Sequence, residues 1–360
     1  MPLIWAAISG HGYGHAAQVV PVLNALGRRV PGVTAILRTT VPASFFHDRM
    51  TIPWTHQPVQ QDVGCVQNGP LEIDVPATWD ALEQFHADWD RRVEDEAAAI
   101  RAARPQLILA DTPYLASEAG LHANTPVVAL ANFTWDAVLT PFLHPDMPAQ
   151  RTLIESIVRS YSHASLALRI APGLPLDVFR DVRGIGPIAD PAPSRRAELR
   201  YRLAVADREQ VVLVGFGGVP LASLPWTAME RMDGYRFIFD GPLPRPFATI
   251  HELRALPFSF KEVLASVDLI MTKPGYGTTV EAVTLGIPVV FVRRHNFADE
   301  PPLVAFLQQY GRAAELSLEE FLAGRWQTSF AALRSSHTPP QHPPAPTGAD
   351  DAAAILAASM

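Results

Sequence analysis

The sequence lacks most of the features that mark disulfide-rich, membrane-spanning and nucleic-acid-binding proteins. It has one cysteine, Cys65, so no disulfide can form within the chain and paired C-x-x-C zinc motifs cannot occur. No block of five basic residues appears and the net charge is −7, which argues against nucleic acid as the main partner. No apolar run reaches the roughly 18 residues of a membrane-spanning helix. We therefore expect a globular protein of the cytoplasm.

Further absences exclude familiar nucleotide and metal sites. No Gly-Lys pair occurs, which excludes a P-loop, and there is no H-E-x-x-H zinc motif. The turn GHGYGH (10–15) reads G-x-G-x-G rather than G-x-G-x-x-G. A dinucleotide site also needs an acidic residue about 20 positions further on, and the first acidic residue of this chain is Asp48. A nicotinamide-dinucleotide site is therefore disfavoured.

What the sequence does contain is an alternation of short apolar runs and helical stretches. The predicted strands are 2–9, 33–38, 106–111 and 126–132 in the first half, then 210–218, 235–241, 267–272 and 287–292 in the second. Residues 2–9 belong to an N-terminal stretch that has no basic region and is predicted to be the first strand rather than a secretory signal. Helices are predicted at 16–26 and, as one long amphipathic helix, at 79–103. This pattern is typical of parallel sheets covered on both faces.

Composition divides the chain into two predicted α/β domains. They are residues 1–185, an N-terminal Rossmann-like domain, and residues 197–336, a C-terminal one, joined by a linker at 186–196. A Pro-rich flexible segment at 337–348 and an alanine-rich helix at 349–360 follow.

Three glycine-containing turns stand where predicted strands end: SGHGYGH (9–15), GFGGVP (215–220) and KPGYGTT (273–279). Ligands of open α/β sheets bind outside the carboxyl ends of the strands. A turn of this kind in each half suggests a ligand held between the domains. The alternative is that each glycine only permits tight packing of strand against helix.

The third turn has two chemical interpretations. Thr278 and Glu281 form T-x-x-E before an apolar run, which is typical of a capping box. A carboxylate in the first helical turn is also suited to a ribose diol, and the amides of Gly277, Thr278 and Thr279 to a diphosphate. Lys273 supplies positive charge to the diphosphate or is simply solvated.

The stretch KPGYGTTVEAVTLGIPVVFV (273–292) resembles the donor-binding segment of GT-B glycosyltransferases. Gly275, Thr278, Glu281, Gly286 and Pro288 occupy the family's motif positions. The resemblance implies two Rossmann-like domains with parallel sheets facing a central cleft. It also implies that Glu281 binds the ribose of a nucleotide sugar and that the last helix crosses back onto the first domain.

Six segments resemble, in order, the glycosyltransferase-like N-terminal half of plant-type L-arabinokinases. They are GHGYGHAAQV, DVGCVQNGPLEID, NFTWD, VGFGGVP, KPGYGTTVEA and VRRHNFADEP. The 360 residues contain no counterpart of the sugar-kinase half of those proteins, so kinase activity is not expected of them.

His15 and Asp111 are the candidate catalytic residues. Both follow predicted strands of the first half and are expected to be neighbours. By resemblance to inverting family-1-type enzymes, His15 is the base that deprotonates the acceptor and Asp111 orients its imidazole. A helix N-terminus keeps the imidazole neutral, as a base requires. Two alternatives stay open: His15 caps its helix or contacts phosphate, and Asp111 caps the helix that follows it.

The remaining candidates divide into donor and acceptor residues. His11, a weaker candidate for the base, is placed on the acceptor side with Gln67, Asn132 and Trp135, although Trp135 is equally explained as core. By resemblance, Asp299 and Glu300 accept hydrogen bonds from the transferred sugar, with solvated surface as the alternative. The donor-binding residues are predicted to be Gly12, Gly14, Gly217, Gly218, Lys273, Gly275, Gly277, Thr278, Thr279, Glu281, Arg294, Asp299 and Glu300.

The expected function is metal-independent, inverting transfer of a sugar from a nucleotide sugar, with uridine as the expected base, to a small-molecule or glycan acceptor. No cofactor, metal, nucleic-acid partner or membrane span is expected, and a homodimer is possible. Two alternatives remain, a GT-B sugar-nucleotide epimerase or hydrolase and a non-catalytic nucleotide-sugar-binding module. A fold alone does not decide among them.

Overall fold

The computed structural model describes residues 1–217, 224–335 and 338–360. It divides into two units, each built from more than one segment of the chain. Unit 1 comprises residues 1–66, 73–188 and 346–360, and unit 2 comprises residues 67–72 and 189–345.

The described residues form strands and helices in alternation, as the sequence predicts. The strands are β1 (Leu3–Ile8), β2 (Thr34–Arg38), β3 (Trp54–Gln57), β4 (Leu107–Asp111), β5 (Val127–Ala131), β6 (Leu166–Ile170), β7 (Val182–Ile185), β8 (Gln210–Val214), β9 (Tyr235–Phe239), β10 (Ile250–Glu252), β11 (Leu269–Thr272), β12 (Val289–Val292) and β13 (Ala313–Leu316). The helices are α1 (Gly14–Arg29), α2 (Val75–His86), α3 (Trp89–Ala103), α4 (Leu115–His122), α5 (Trp135–Leu139), α6 (Pro148–Tyr161), α7 (Arg196–Arg202), α8 (Trp226–Glu230), α9 (Phe260–Leu264), α10 (Tyr276–Leu285), α11 (Glu300–Tyr310), α12 (Leu318–Leu322), α13 (Gln327–Ser335) and α14 (Gly348–Ser359).

Unit 1 is built on a parallel sheet in the order β3-β2-β1-β4-β5-β6-β7. Strands β4 and β5 are buried along their whole length, because helices cover both faces, and their apolar runs satisfy that burial. β1 pairs with β4 so that Ile8 lies opposite Asp111. This register brings the loop that follows β1 level with the carboxyl end of β4.

Unit 2 repeats the same plan. Its parallel sheet has the order β10-β9-β8-β11-β12-β13, which corresponds to the first six strands of the unit 1 sheet. This order is that of a Rossmann-type sheet, in which ligands bind at the carboxyl ends near the point where the strand order reverses. Here that point lies between β8 and β11. The core of unit 2 includes the fully buried Trp326, Phe321 and Phe330.

The prediction of one long helix at 79–103 is wrong, because two helices occupy the region. α2 ends at His86, and Asp88, with φ −111° and ψ 23°, leaves the helical conformation before α3 begins at Trp89. Across this break the rings of His86 and Trp89 stack with centroids 4.8 Å apart. The amphipathic period continues through the break, so the sequence pattern does not reveal it.

Segment 67–72 belongs to unit 2, although it lies far from the rest of that unit in sequence. The His295 amide donates to the Leu71 carbonyl at 2.7 Å, and Leu71 packs against the unit 2 core. This finding differs from the predicted boundaries, which place the whole of 1–185 in the first domain.

The last helix, α14, packs in unit 1 against α1. Gly186 and Gly348 approach so closely that a Cβ on Gly348 would lie 2.1 Å from the Gly186 carbonyl oxygen. The Gly186 amide donates to the Asp351 carboxylate at 3.0 Å, and Arg28 pairs with Asp350 at 3.0 Å. Only glycine fits at that crossing.

Among the described helices, none is long and apolar enough to cross a membrane.

Candidate functional site

His15 and Asp111 are in direct contact in unit 1, as predicted. His15 is the second residue of α1, Asp111 is the last of β4, and the His15 Nδ1 to Asp111 Oδ1 distance is 2.8 Å. Both side chains are buried, at 5% and 0% exposure. Because a carboxylate can only accept, the contact places a proton on Nδ1 and makes Nε2 the proton-accepting atom of the ring.

Thr112 completes this contact and was not found from the sequence. Its hydroxyl donates to Asp111 Oδ1 at 3.1 Å and lies 3.1 Å from His15 Nδ1. Its backbone has φ +70°, a conformation that β-branched residues rarely adopt. The Tyr161 hydroxyl donates to the Thr112 carbonyl at 2.6 Å and holds this turn in place. Backbone strain of this kind concentrates at functional sites.

The two capping alternatives do not describe the structure. The N-cap residue of α1 is Tyr13 and that of α4 is Tyr114, and neither helix end has a side-chain cap. Burial raises the pKa of Asp111 above its usual value, while the charge and hydrogen bond of His15 and the Thr112 hydroxyl act in the opposite direction. Asp111 therefore serves His15 rather than a helix end.

The residues predicted for the acceptor side occupy different environments. Asn132 and Trp135 are buried, at 3% and 2% exposure, and Asn132 accepts a hydrogen bond from Gln18 at 3.3 Å. Trp135 contacts His11 edge to face with ring centroids 5.4 Å apart. Trp135 is therefore core, and the centroid of its ring lies 6.4 Å from that of His15.

Gln67 lies in unit 2 rather than in the first predicted domain, and its role in binding the acceptor stays a prediction. Gln67 begins the segment 67–72 that belongs to unit 2. The sequence pattern around DVGCVQ offers no sign of this departure, because the excursion depends on the pairing of Leu71 with His295.

In unit 2, the third glycine turn leads from β11 into the N-terminus of α10. The N-cap is Gly275, which has no side chain, so the predicted capping box of Thr278 and Glu281 is wrong. The helix begins at Tyr276, three residues earlier than a capping box would require. Glu281 consequently lies in the second turn of α10 and not in the first.

In the first turn of α10, Gly277 and Thr278 lie where helix N–H groups have no intrahelical acceptor. The Thr279 amide donates to the Gly275 carbonyl at 2.9 Å, so the prediction that it binds a diphosphate is wrong. The Thr279 hydroxyl is buried and has no hydrogen-bond partner among the described residues.

Glu281 is held by groups that the sequence did not indicate. Lys261 on α9 places its Nζ 3.0 Å from Glu281 Oε1 and also donates to the Asp190 carbonyl at 2.8 Å. The Asp190 amide hydrogen-bonds the same carboxylate. Burial raises the pKa of Glu281, and the Lys261 charge acts in the opposite direction. The carboxylate is fixed in position before any ligand binds.

The second and third glycine turns meet at Lys273. Gly217 has φ +74°, and a Cβ at that position would lie 3.5 Å from Lys273 Cε. Gly218, which was also predicted to bind the donor, lies outside the described residues. Burial lowers the pKa of Lys273 to about 8, with a further contribution from Arg294.

Arg294, Asp299 and Glu300 follow β12 and form one paired group. The Arg294 guanidinium lies 3.1 Å from Asp299 Oδ2 and 3.0 Å from Glu300 Oε2, and its backbone amide donates to Glu300 at 2.8 Å. Both carboxylates raise the pKa of Lys273 and so lie near it. In this structure they bind Arg294, and a role on a sugar stays a prediction.

The predicted glycines Gly12 and Gly14 flank Tyr13 at the start of α1, and Gly12 has φ +74°.

Within the described parts of the chain, no group of three or more His, Cys, Asp or Glu side chains is arranged to hold a metal ion.

Comparison with solved structures defines the class of fold. The chain superposes on the glycotransferase of kitacinnamycin with a TM-score of 0.64 at 16% identity, covering 99% of this chain and 94% of that one. It superposes on Medicago truncatula UGT71G1, solved with UDP-glucose, with a TM-score of 0.63 at 10% identity, covering 99% and 98%. With two Rossmann-type units, the protein has the GT-B fold.

The sequence is also similar to that of a characterised protein. The two are 28% identical over 330 residues, and this protein is L-arabinokinase of Arabidopsis thaliana, which confirms the resemblance. The match covers 89% of this chain and 31% of the length of that protein. No protein-family model matches the sequence.

Proposed function

We propose that this protein is a glycosyltransferase that transfers a sugar from a UDP sugar to an acceptor hydroxyl with inversion. The observation that carries the proposal is the buried contact of His15 with Asp111 at the carboxyl ends of adjacent strands. An imidazole held in one tautomer by a buried carboxylate is the arrangement of a general base. The activity in the name of the curated relative is that of a much longer protein, and we do not propose it here.

The chemistry needs one base and one site for the leaving group. His15 Nε2 takes the proton of the acceptor hydroxyl while that oxygen forms a bond to the anomeric carbon. The bond from this carbon to the diphosphate oxygen breaks, and UDP leaves with the electron pair. Asp111 stabilises the imidazolium that results. The acceptor is a small molecule or a glycan.

Unit 2 supplies the donor site in this proposal. The amides of Gly277 and Thr278 and the Lys273 ammonium bind the diphosphate, in place of a divalent metal. Glu281, already fixed by Lys261, accepts hydrogen bonds from the ribose hydroxyls. UDP-sugar complexes among the structural neighbours support the choice of donor class.

Thermal unfolding in the presence of nucleotides tests this proposal. UDP and UDP sugars at about 100 times their dissociation constant are expected to stabilise the protein by about 2.7 kcal/mol. Glu281→Ala, which removes the ribose contact, should lose most of this stabilisation. A response confined to dinucleotides, or an equal response of the Glu281→Ala variant, would contradict the proposed donor site.

The two alternative functions give different products. An epimerase or hydrolase would consume the UDP sugar without an acceptor, and chromatography of reactions that contain no acceptor would reveal it. A non-catalytic binding module would bind the UDP sugar and leave it intact under every condition.

Lys273 predicts a pH dependence of donor binding. The pKa of Lys273 is lowered to about 8, so the ammonium that attracts a diphosphate is lost as the pH rises through 8. A bound diphosphate raises this pKa, so UDP binding at pH 8 should take up about half a proton per site. Calorimetry in two buffers of different ionisation enthalpy measures this uptake. Lys273→Arg stays charged and should abolish it, and persistence of the uptake would exclude Lys273 as its source.

A further inference from the structure

Unit 1 contains a second buried carboxylate beside the catalytic pair, Asp62, to which no function has been assigned. Asp62 is 4% exposed. Its Oδ1 accepts from the Ser9 hydroxyl at 3.0 Å, and its Oδ2 accepts from the Trp135 indole at 2.8 Å. In the described part of the chain no arginine or lysine pairs with it. Two neutral donors alone do not offset the cost of burying a charge.

When His15 takes up a proton, its imidazolium is the positive charge that acts on Asp62. Burial raises the pKa of Asp62, whereas the Trp135 hydrogen bond and the charge of His15 lower it. The Asp111 carboxylate raises it again, so Asp62 and Asp111 both act on the same imidazole. The Trp135 indole donates to Asp62, and the centroid of its ring lies 6.4 Å from that of His15.

The same carboxylate also fixes the loop that precedes α1. Ser9, which donates to Asp62, accepts a hydrogen bond from the His11 amide at 3.2 Å. Gly64, two residues after Asp62, packs on the His11 ring so closely that a Cβ there would lie 2.2 Å from Nδ1. The segment 62–64 therefore holds the turn that leads into His15 in place, through a hydrogen bond to Ser9 and packing on His11.

We propose that Asp62 is a second positioning residue for His15, which holds the Ser9–His11 turn and Trp135 in place and supplies a second negative charge for the imidazolium. The inference rests on the proposed function of His15 as the base. Asp111 orients the ring through direct contact, and Asp62 acts on it through space and through the packing of Trp135. Both carboxylates therefore stabilise the imidazolium, and Asp111 alone contacts the ring directly.

Other titratable groups near His15 keep one charge state across the working pH range. Burial raises the pKa of both Tyr114 and Tyr161 well above the usual value, and the Asp62 charge adds to this effect. Both phenols therefore stay neutral. His11 contacts Trp135, and Asp111 contacts His15, so both are further titratable groups close to the ring.

The substitution Asp62→Asn removes the charge of this side chain and keeps its size and shape. The amide oxygen can accept from Trp135 and the amide nitrogen can donate to Ser9, so both contacts survive without the charge. We expect the pKa of His15 to fall, because a nearby negative charge favours the imidazolium. The acid limb of the pH–rate profile should move to lower pH, and kcat should fall severalfold because the base is weaker.

Three variants complete the test. Asp62→Ala should show the same shift of the acid limb with a larger loss of kcat, because Trp135 and Ser9 lose their acceptor. Ser9→Ala should lower kcat without moving the limb. The control is Asp136→Asn, which removes a half-buried carboxylate of unit 1 that has no direct charge contact with His15. It should change neither kcat nor the position of the acid limb. UDP affinity should be the same in all four variants.

The pKa of His15 is also measurable by NMR titration of its imidazole signals, which needs no activity. If the wild-type protein transfers no sugar, the proposed function fails, but the NMR titration of Asp62→Asn still tests the charge effect. An unchanged His15 pKa in folded Asp62→Asn would overturn the inference. Equal losses of kcat in the Asn and Ala variants without movement of the acid limb would likewise reduce Asp62 to a structural residue.

Discussion

Replacing His15 with alanine is expected to lower the rate of glycosyl transfer by about 10²–10⁴-fold, the usual contribution of a positioned general base. The loss should appear in kcat, because the acceptor hydroxyl keeps its proton during attack and becomes a poor nucleophile. UDP affinity should be unchanged, since Gly277, Thr278, Lys273 and Glu281, to which the proposed function assigns the diphosphate and the ribose, all belong to unit 2. Initial rates at saturating donor, combined with calorimetric UDP binding, measure both quantities.

The matched control for this experiment is His144→Ala. His144 is an exposed histidine of unit 1, with 62% of its side chain accessible, and its substitution should leave kcat unchanged. The partner variant Asp111→Asn keeps the size of the side chain and removes the charge that fixes the tautomer, so it should also lose most activity. Wild-type turnover in His15→Ala would remove the proposed base.

The second large effect concerns stability and the buried ion pair of Arg38 and Glu96. Glu96 is 2% exposed and accepts from Trp5 Nε1 at 2.9 Å and from Arg38 Nε at 3.2 Å, with a further contact from Arg38 Nη2. Glu96→Ala leaves the guanidinium buried without its carboxylate and the indole without its acceptor. We expect the free energy of unfolding of unit 1 to fall by about 3–5 kcal/mol.

Urea denaturation followed by circular dichroism measures this loss. Glu96→Gln, which keeps an acceptor for Trp5, should lose less than Glu96→Ala. Arg91→Ala breaks a pair with Asp88 in which both side chains are more than half exposed, at 64% and 51%, and should cost at most about 1 kcal/mol. A loss in Glu96→Ala no greater than that of Arg91→Ala would contradict the importance of the buried pair.

Most interior strands of the two sheets could be predicted, because burial on two faces demands continuous apolar runs, although the interior strand β6 was not predicted. β4 and β12 show such runs, and both strands were predicted. The edge strands β3 (WTHQ) and β7 (VRGI) were missed because they are partly exposed and carry few apolar residues. Their formation depends on pairing with a neighbour that the local sequence does not identify.

The candidate site shows the same division between local and distant information. The contact of His15 with Asp111 followed from two strand ends in a parallel sheet, which is a regular geometry. Glu281 pairs with Lys261, which lies 20 residues earlier in the sequence on another helix, and no sequence pattern predicts this contact. Gln67 was assigned to the first domain for a related reason, since the segment 67–72 belongs to unit 2 although the residues on both sides of it belong to unit 1.

The position of α14 in unit 1 has a consequence for synthesis on the ribosome. Unit 1 begins first in the sequence, but its last segment, residues 346–360, is translated after the whole of unit 2. Gly348 and Asp351 must emerge before the seam with Gly186 can close, by which time every residue of unit 2 has already been translated.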